Sequence, residues 1–363
     1  MVQELFEQLD ELRTRNRRVA MATLVETRGT SPKKEGAKMW VGEAGRVVGS
    51  VTIGGCVDAH VIDAAADVLR RWQPTLLSVD LGDEDAQELG LTCAGAVDVL
   101  VEPVDLLESD RGRVLQYNWV RDHIQSGGHA VVVTVLPEGT ETLLVLDDGS
   151  IFGSLGDPAL DEAAAREASE LMQRGRSRTL ILDRVGEESR RAFFEVHGPP
   201  PTLIVFGAGH VARPLVQFAK GLGMRVVVVD ARERYANRES FPDADEIRVG
   251  IPSEIAETLG YGATSAVVLV AHDYKFDLPV LKHVLTTDAG YIGLLGSRRR
   301  GRTILEFLAA DGIAPDELER VHVPVGLDIG AETAPEFAIS ILAEVLAVRA
   351  GRRGGPMRER LAR

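Results

Sequence analysis

The stretch that most constrains the fold is 202–230, TLIVFGAGHVARPLVQFAKGLGMRVVVVD. A short apolar run at 203–206 meets Gly207-Ala208-Gly209, a helix-patterned segment follows, and a second apolar run at 226–229 ends on Asp230. This is the outline of a nucleotide-binding βαβ unit. Gly207 permits the tight turn. Gly209 lets the backbone approach a diphosphate at the start of the helix, where free N–H groups and the helix dipole favour an anion. Ala212 takes the third position of the fingerprint, where a small residue allows close helix–strand contact, and Asp230 sits where a carboxylate can bond ribose hydroxyls. His210 lies in the first turn, where a dehydrogenase usually has a smaller or apolar side chain. Arg232 follows closely enough either to meet a phosphate or to cover the acid. The plainer reading of the same turn is that it serves packing alone.

At 363 residues the chain has room for a second domain beside this one. Its 41 Lys and Arg stand against 55 Asp and Glu, a formal charge of −14, which argues against a nucleic-acid or anionic-membrane binder. The opening residues, MVQELFEQLDELRTRNRR, read as a charged amphipathic helix over 3–17 without the apolar core of a signal peptide. No stretch approaches the ~20 apolar residues of a membrane span, so a cytoplasmic protein is expected. The two cysteines, Cys56 and Cys93, make no disulfide framework and cannot close a metal site alone.

The first half contains a quasi-repeat. A strand at 19–26, a hairpin with arms at 39–42 and 46–51, a helix at 57–72, and strands at 75–81 and 96–102 come in that order. From 129 the order recurs, with a strand at 129–136, a hairpin at 143–147 and 151–154, a helix at 159–173 and a strand at 179–183. Gly49-Ser50 aligns with Gly153-Ser154, and Thr75-Leu76-Leu77 with Thr179-Leu180-Ile181. Each copy ends in a strand followed by a glutamate motif, Val101-Glu102-Pro103 and Glu195-Val196-His197. A helix at 105–126 lies between the copies. Residues 1–197 therefore read as one α+β domain of two similar halves.

The copies differ in two places. The first carries Gly54-Gly55-Cys56 where the second has Gly156-Asp157, and it carries Leu91-Thr92-Cys93-Ala94-Gly95, which the second omits. A shared frame with two extra cysteine loops points to one half as scaffold and the other as holder of a site. Both loops precede a regular element beside glycines, which exposes backbone N–H groups and favours a thiolate at the helix start, here Cys56. Thiolates so placed suit a soft metal, a sulfur-bearing ligand or an electrophile. Against this, a free cysteine is more often a small buried hydrophobe. Lys33, Lys34 and Lys38 either line an anionic ligand or form a solvated approach to the hairpin.

His197-Gly198-Pro199-Pro200-Pro201 punctuates the chain, so the second domain is read as 198–350 and the last residues, 351–363, as a basic tail. Beyond the βαβ unit come an irregular arm at 235–242, a helix at 251–259 and a strand at 265–270 that leads into AHDYKFD. In an open parallel sheet, residues past the carboxyl end of a strand line the ligand crevice, which places His272, Asp273 and Asp277 there. A helix at 279–286 feeds a strand at 291–294 and then Gly296-Ser297-Arg298-Arg299-Arg300. Glycine, hydroxyl and guanidinium groups at a strand end suit a phosphate or a carboxylate; a solvated helix start is the plain alternative for Arg299 and Arg300. A glycine-rich loop at 323–330 precedes Thr333-Ala334-Pro335-Glu336, a capping pattern that opens a last helix running to about 349. The expected class is α/β, with an N-terminal α+β domain containing an internal quasi-repeat followed by a Rossmann-like doubly wound parallel sheet.

GSVTIGGCVD (49–58), LTCAG (91–95), FGAGHVA (206–212), VVVVDARERYANRESFPDAD (226–245), AHDYKFD (271–277), YIGLLGSRRR (291–300) and PVGLDIGAETAPEFAISILAE (324–344) resemble, in order, the motifs of the XdhC/CoxI family. That family comprises accessory proteins of xanthine dehydrogenase and carbon monoxide dehydrogenase type molybdoenzymes. The likeness spans nearly the whole chain and is thinner between 105 and 197. It implies a molybdenum-cofactor chaperone rather than an enzyme. Such a protein binds the molybdopterin-type cofactor, cooperates with a cysteine desulfurase that supplies the terminal sulfido ligand, and delivers the cofactor to an apo-molybdoenzyme of the xanthine dehydrogenase class. It also implies a homodimer, and makes Cys56, after the double glycine, the residue most often linked to cofactor binding; a contact from Cys56 to the molybdenum or its sulfur is the further expectation.

The residue reading and the resemblance together give Gly54, Gly55, Cys56, Cys93, Gly207, Gly209, His210, Asp230, His272, Asp273, Ser297 and Arg298 as cofactor-binding candidates. The chain departs from the family pattern at the extra Ile53, at Asp58 in place of the usual glutamate, and at Ala94-Gly95 in place of two glycines. Two rival readings stay open: an NAD(P)-dependent oxidoreductase with Asp230 on the adenine ribose and His272 as acid or base, and a nucleotide-sensing adaptor.

Overall fold

Two five-stranded antiparallel sheets with the same strand order make up the first half of the protein. β1 (Arg18–Gly29), β2 (Lys38–Gly42), β3 (Val47–Gly49), β4 (Thr75–Asp80) and β5 (Gly95–Asp105) run in the order β3-β2-β1-β5-β4. β6 (Ala130–Leu136), β7 (Thr142–Leu146), β8 (Ile151–Ser154), β9 (Arg178–Leu182) and β10 (Arg190–His197) run in the order β8-β7-β6-β10-β9. The quasi-repeat is thus a repeat of topology. The structure is a computed structural model that describes all residues except 1, 15–16, 30–32, 44, 53–55, 82–94, 108–111, 184–188, 272–273 and 360–363, together with the side chains of all others but 2–4, 7, 56, 173, 274 and 359.

Each sheet buries both faces, which is why its central strands read as nearly continuous apolar runs. In β1, Ala20, Ala22 and Leu24 pack with Val57, Val61, Ala65 and Val68 of α2 (Cys56–Arg71). The alternate residues Val19 and Met21 turn to the opposite face, as the two-residue period of a strand demands. β6 does the same, with Val131, Val133 and Val135 against the helix Pro158–Arg174 and Ala130 and Val132 behind. The two inner faces meet in a small apolar cluster of Val25, Leu100, Leu136 and Phe193. The register shows that this cluster is built twice over: Thr23 pairs with Leu100 as Thr134 pairs with Phe193. The result is four layers, helix on sheet on sheet on helix. α1 (Val2–Arg13) and α3 (Gly112–Gln125) add Leu5, Leu9, Leu12, Val114 and Tyr117 to the inner face of the first sheet.

Boundaries differ from the sequence reading in places. The first helix ends at Arg13 rather than 17, and the helix between the halves starts at Gly112 because β5 extends to Asp105. Glu102 and Glu195 both lie within strands, β5 and β10.

An ionic knot ties the halves together. Asp98 of β5 is 1% exposed and accepts hydrogen bonds from Arg28 (2.8 and 3.1 Å), Ser78 (2.8 Å) and, from the other half, Arg191 (2.7 Å). Burial alone would raise its pKa, but these bonds outweigh burial and hold it at about 2, against an ordinary 3.8. A depressed carboxylate contributes stability that is fully present above its unfolded value and is lost as pH falls through the folded one. We expect ~2 kcal/mol to disappear between about pH 4 and pH 2. In denaturant titrations across that window, the stability gap between wild type and Asp98→Asn should close by about this amount; a gap that stays constant would contradict the assignment.

The chain divides into two compact units, Met1–Pro199 and Pro200–Arg363. The second unit holds a six-stranded, wholly parallel sheet of β11 (Thr202–Phe206), β12 (Arg225–Asp230), β13 (Glu246–Val249), β14 (Ser265–Leu269), β15 (Tyr291–Leu294) and β16 (Val321–His322). Its order, β13-β12-β11-β14-β15-β16, is that of the doubly wound dinucleotide fold, with the reversal between β11 and β14. The helices Ala212–Gly221 and Ala334–Arg349 cover one face, and Tyr274–Leu285 and Arg298–Ala310 the other. The helix expected at 279–286 begins at Tyr274, with Pro279 inside it. Pro279 and Lys275, four residues before it, are both exposed, so water can replace the backbone bond that proline removes.

Candidate functional site

In the first unit the cysteine loop is clamped at its base. Asp58, in the first turn of α2, accepts a hydrogen bond from the Val51 N–H (3.1 Å), while Lys33 reaches the Ser50 carbonyl. The second half repeats the device, since Asp161 accepts from the Leu155 N–H (2.7 Å) and the Ser154 hydroxyl (2.8 Å). Asp58 is therefore part of the frame common to both halves. What differs is the cargo inside the clamp. Cys56 is the first residue of α2; Gly54, Gly55 and Cys93 lie outside the described residues, as does the Cys56 side chain.

Lys38, expected to line a ligand or to face solvent, does neither. Its side chain is 5% exposed and its ammonium lies 3.0 Å from Glu195 Oε1 and 2.9 Å from Thr23 Oγ1. Burial pulls the ammonium pKa down, with Glu195 opposing. Burial pushes the Glu195 carboxyl up, but Lys38 and His197 pull harder and hold it well below the carboxylate range. The Tyr117 hydroxyl donates to the same carboxylate (3.0 Å), and His197 Nε2 faces it at 3.4 Å without a hydrogen bond. A matching pair stands opposite, where Arg113 donates to Glu102 (2.7 and 3.0 Å) and to Thr134 (2.8 Å). Met21 pairs with Glu102 and Val132 with Glu195, so the two glutamates occupy equivalent places in the two halves.

In the second unit, Gly207 adopts φ 111°, and a Cβ there would lie 2.8 to 3.0 Å from the backbone and side chain of Ala271. Only glycine lets β11 and β14 approach so closely at the switch point. A Cβ on Gly209 would meet nothing within 4 Å, so packing does not demand that glycine. His210 is exposed, and Ala212 is fully buried at the start of its helix. Asp230 is 4% exposed and accepts four N–H bonds: Arg232 N and Nε on Oδ1 (both 2.9 Å), Ala208 N (2.7 Å) and the Arg232 guanidinium (2.8 Å) on Oδ2. Burial would raise its pKa, yet Arg232 and the Ala208 N–H bring it below the usual range. Ser297 caps its helix by accepting from the Arg300 N–H (3.2 Å), and Arg298 is exposed beside it. Asp277, expected in the crevice, is instead buried on a helix and bound to Arg300 at 2.6 Å. Arg300 is correspondingly not the solvated residue of a free helix start. The glycine-rich loop is held to the last helix by Glu344, which accepts from Gly326 N–H (2.7 Å) and the Tyr291 hydroxyl (2.5 Å). His272 and Asp273 lie outside the described residues.

Both units have counterparts among known proteins. Residues 203–345 match the XdhC Rossmann domain, and residues 12–80 and 123–183 match the XdhC and CoxI family. A Bacillus subtilis protein named as a probable xanthine dehydrogenase component is 30% identical over 343 residues, which is 94% of this chain and 96% of that one. The chain belongs to the XdhC/CoxI family. Escherichia coli PaoD, named a molybdenum cofactor insertion chaperone, is 25% identical over 292 residues, 67% of this chain and 90% of that one. A crystal structure of a xanthine dehydrogenase from Bacillus halodurans matches with a TM-score of 0.74 and 29% identity, covering 97% of each chain.

For this XdhC/CoxI member, sequence reasoning missed the buried pairs Lys38–Glu195 and Arg113–Glu102. A signal existed, since two glutamates stood at matching places in otherwise apolar strands. It also left the part of Arg232 open. Among the described residues, no three His, Cys, Asp or Glu side chains are grouped as a metal site, and no helix is long and apolar enough to cross a membrane.

Proposed function

We propose that this chain is an accessory protein of molybdoenzyme maturation, which holds a molybdopterin-type cofactor and passes it to an apo-enzyme of the xanthine dehydrogenase class. The observation that carries the reading is the asymmetry between the halves: one clamp, Val51–Asp58 and Leu155–Asp161, is built twice, and only the first encloses Gly-Gly-Cys. The name of PaoD points the same way.

The donor set suits the cargo. A cysteine at a helix start can supply a thiolate, a soft ligand for molybdenum or its sulfur. Cys56, with Gly54 and Gly55 before it, is proposed to meet the metal end of the cofactor, and Cys93 is a second candidate from its motif alone. In the second unit, taken by itself, Gly207, Gly209, His210, Ser297 and Arg298 are the candidates for the phosphate of a bound nucleotide, and His272 and Asp273 are candidates from the motif alone. When bound, the cofactor would supply the molybdenum on which a terminal ligand is exchanged for sulfur. The chain's own residues grip and orient it, and a cysteine desulfurase and a second copy of the chain are the partners this role calls for.

The test is the molybdenum and pterin content of the purified protein, compared with Cys56→Ser. The variant should lose at least the ~10–100-fold in metal affinity that even an outer-shell change produces. Wild-type protein that purifies without molybdenum from cells rich in the cofactor, or a variant that keeps a full load, would remove the basis of the proposal.

A further inference from the structure

The four N–H bonds to Asp230 bear on which nucleotide the second unit can take. In a dinucleotide fold, a free carboxylate at the end of the second strand selects a ribose diol, because it can accept from both hydroxyls. Here both carboxylate oxygens are already filled, three of the four donors coming from Arg232. A diol arriving at Asp230 would have to displace a bidentate charge-assisted pair, the strong class of hydrogen bond.

The guanidinium of Arg232 lies in front of the acid. The side chain of Asp230 is 5% exposed and that of Arg232 is 52% exposed. Arg232 sits 4.5 Å from the centre of the Tyr235 ring, and Arg234 sits 4.8 Å from the same ring. Two cations thus share one aromatic ring where the fold would receive the nucleoside end of a ligand. Beside them, Gly250 N–H bonds the Asp230 carbonyl (3.2 Å), which brings the exposed side chains of Val249 and Ile251 to the same strand end. Apolar side chains on one flank and a cation-backed ring on the other suit a flat base, and the guanidinium suits an anion on its sugar.

The geometry points to a site for a nucleotide whose ribose carries a phosphate, with Arg232 as the residue that selects it. Asp230 then acts as a positioning residue. It holds the guanidinium forward with both oxygens and fixes the turn through the Ala208 N–H on Oδ2, while the open side of Gly209 leaves room for the diphosphate. The site belongs to the second unit alone and does not depend on what Cys56 binds.

The experiment is calorimetric titration of the full-length protein with 2′,5′-ADP, 5′-AMP, NADP+ and NAD+. The 2′-phosphorylated member of each pair should bind at least about tenfold tighter, as expected for one charge-assisted contact. Arg232→Ala should abolish that ratio, and should leave NAD+ binding equal or stronger because Asp230 is uncovered. Arg232→Lys should keep part of the ratio. Equal binding within each pair, a preference for NAD+, a ratio that survives Arg232→Ala, or no binding of any of the four would each overturn the inference. Molybdenum content measured on the same samples reports separately on the chaperone reading, so either can fail without the other.

Discussion

Lys38→Met should destabilise the first unit by roughly 3–5 kcal/mol, the loss expected when one partner of a buried ion pair is removed. The methionine fills a similar volume, so the effect isolates the charge. Without Lys38, the Glu195 carboxylate keeps the Tyr117 hydroxyl and faces a histidine that does not bond it, with its side chain 8% exposed. Adding Glu195→Gln should recover much of the loss, because a neutral amide needs no counter-ion, and the double-mutant cycle then reports a coupling of a few kcal/mol. Chemical denaturation of the full chain measures all three variants. A single-mutant cost below about 1 kcal/mol would mean the pair contributes no more than an exposed one. The second half carries Thr142 where the first has Lys38, since Thr23 pairs with Lys38 as Thr134 pairs with Thr142. There Gln116 donates to the threonine hydroxyl (2.6 Å), so the frame itself does not require a charge at that place.

What the sequence disclosed and what it hid follow from the range of the interactions. The βαβ unit and the repeated strand–hairpin–helix order were legible because strands covered on both faces leave apolar runs that local pattern detects. β13 and β16 left no such mark: one is the short, partly exposed EIRV, the other two residues long, and both are paired only by the strand next door. Pro279 mimics a helix start signal inside Tyr274–Leu285, which shortens the helix that local pattern gives and misplaces Asp277 in the crevice. The polar core was invisible for a different reason. Lys38 and Glu195 are 157 residues apart, so nothing near either residue announces its partner. Asp230 was correctly placed at a strand end, but its availability depends on where one arginine side chain goes, which spacing does not encode. Gly54, Gly55, Cys93, His272 and Asp273 lie outside the described residues, so their part rests on motif and position alone.

Gly207→Ala should disable the second unit's turn, whereas Gly209→Ala should leave the fold intact and affect only binding. At Gly207 the new methyl would sit 2.8 to 3.0 Å from Ala271 atoms, with φ at 111°, where side chains are strained. Overpacking and left-handed strain together should cost roughly 2–4 kcal/mol. At Gly209 the methyl meets nothing within 4 Å, so its cost should stay within about 0.5 kcal/mol, the range of an unencumbered surface change. The pair therefore separates two meanings of one glycine motif. If the turn is only a packing device, Gly209→Ala protein should be indistinguishable from wild type in both unfolding and titration with 2′,5′-ADP. If the backbone cradles a phosphate, the same variant should unfold as wild type does and yet bind that probe about tenfold more weakly, because the added methyl stands where the anion must approach. A glycine that the protein's own packing does not need, beside one that it cannot lose, is what a ligand-shaped turn requires.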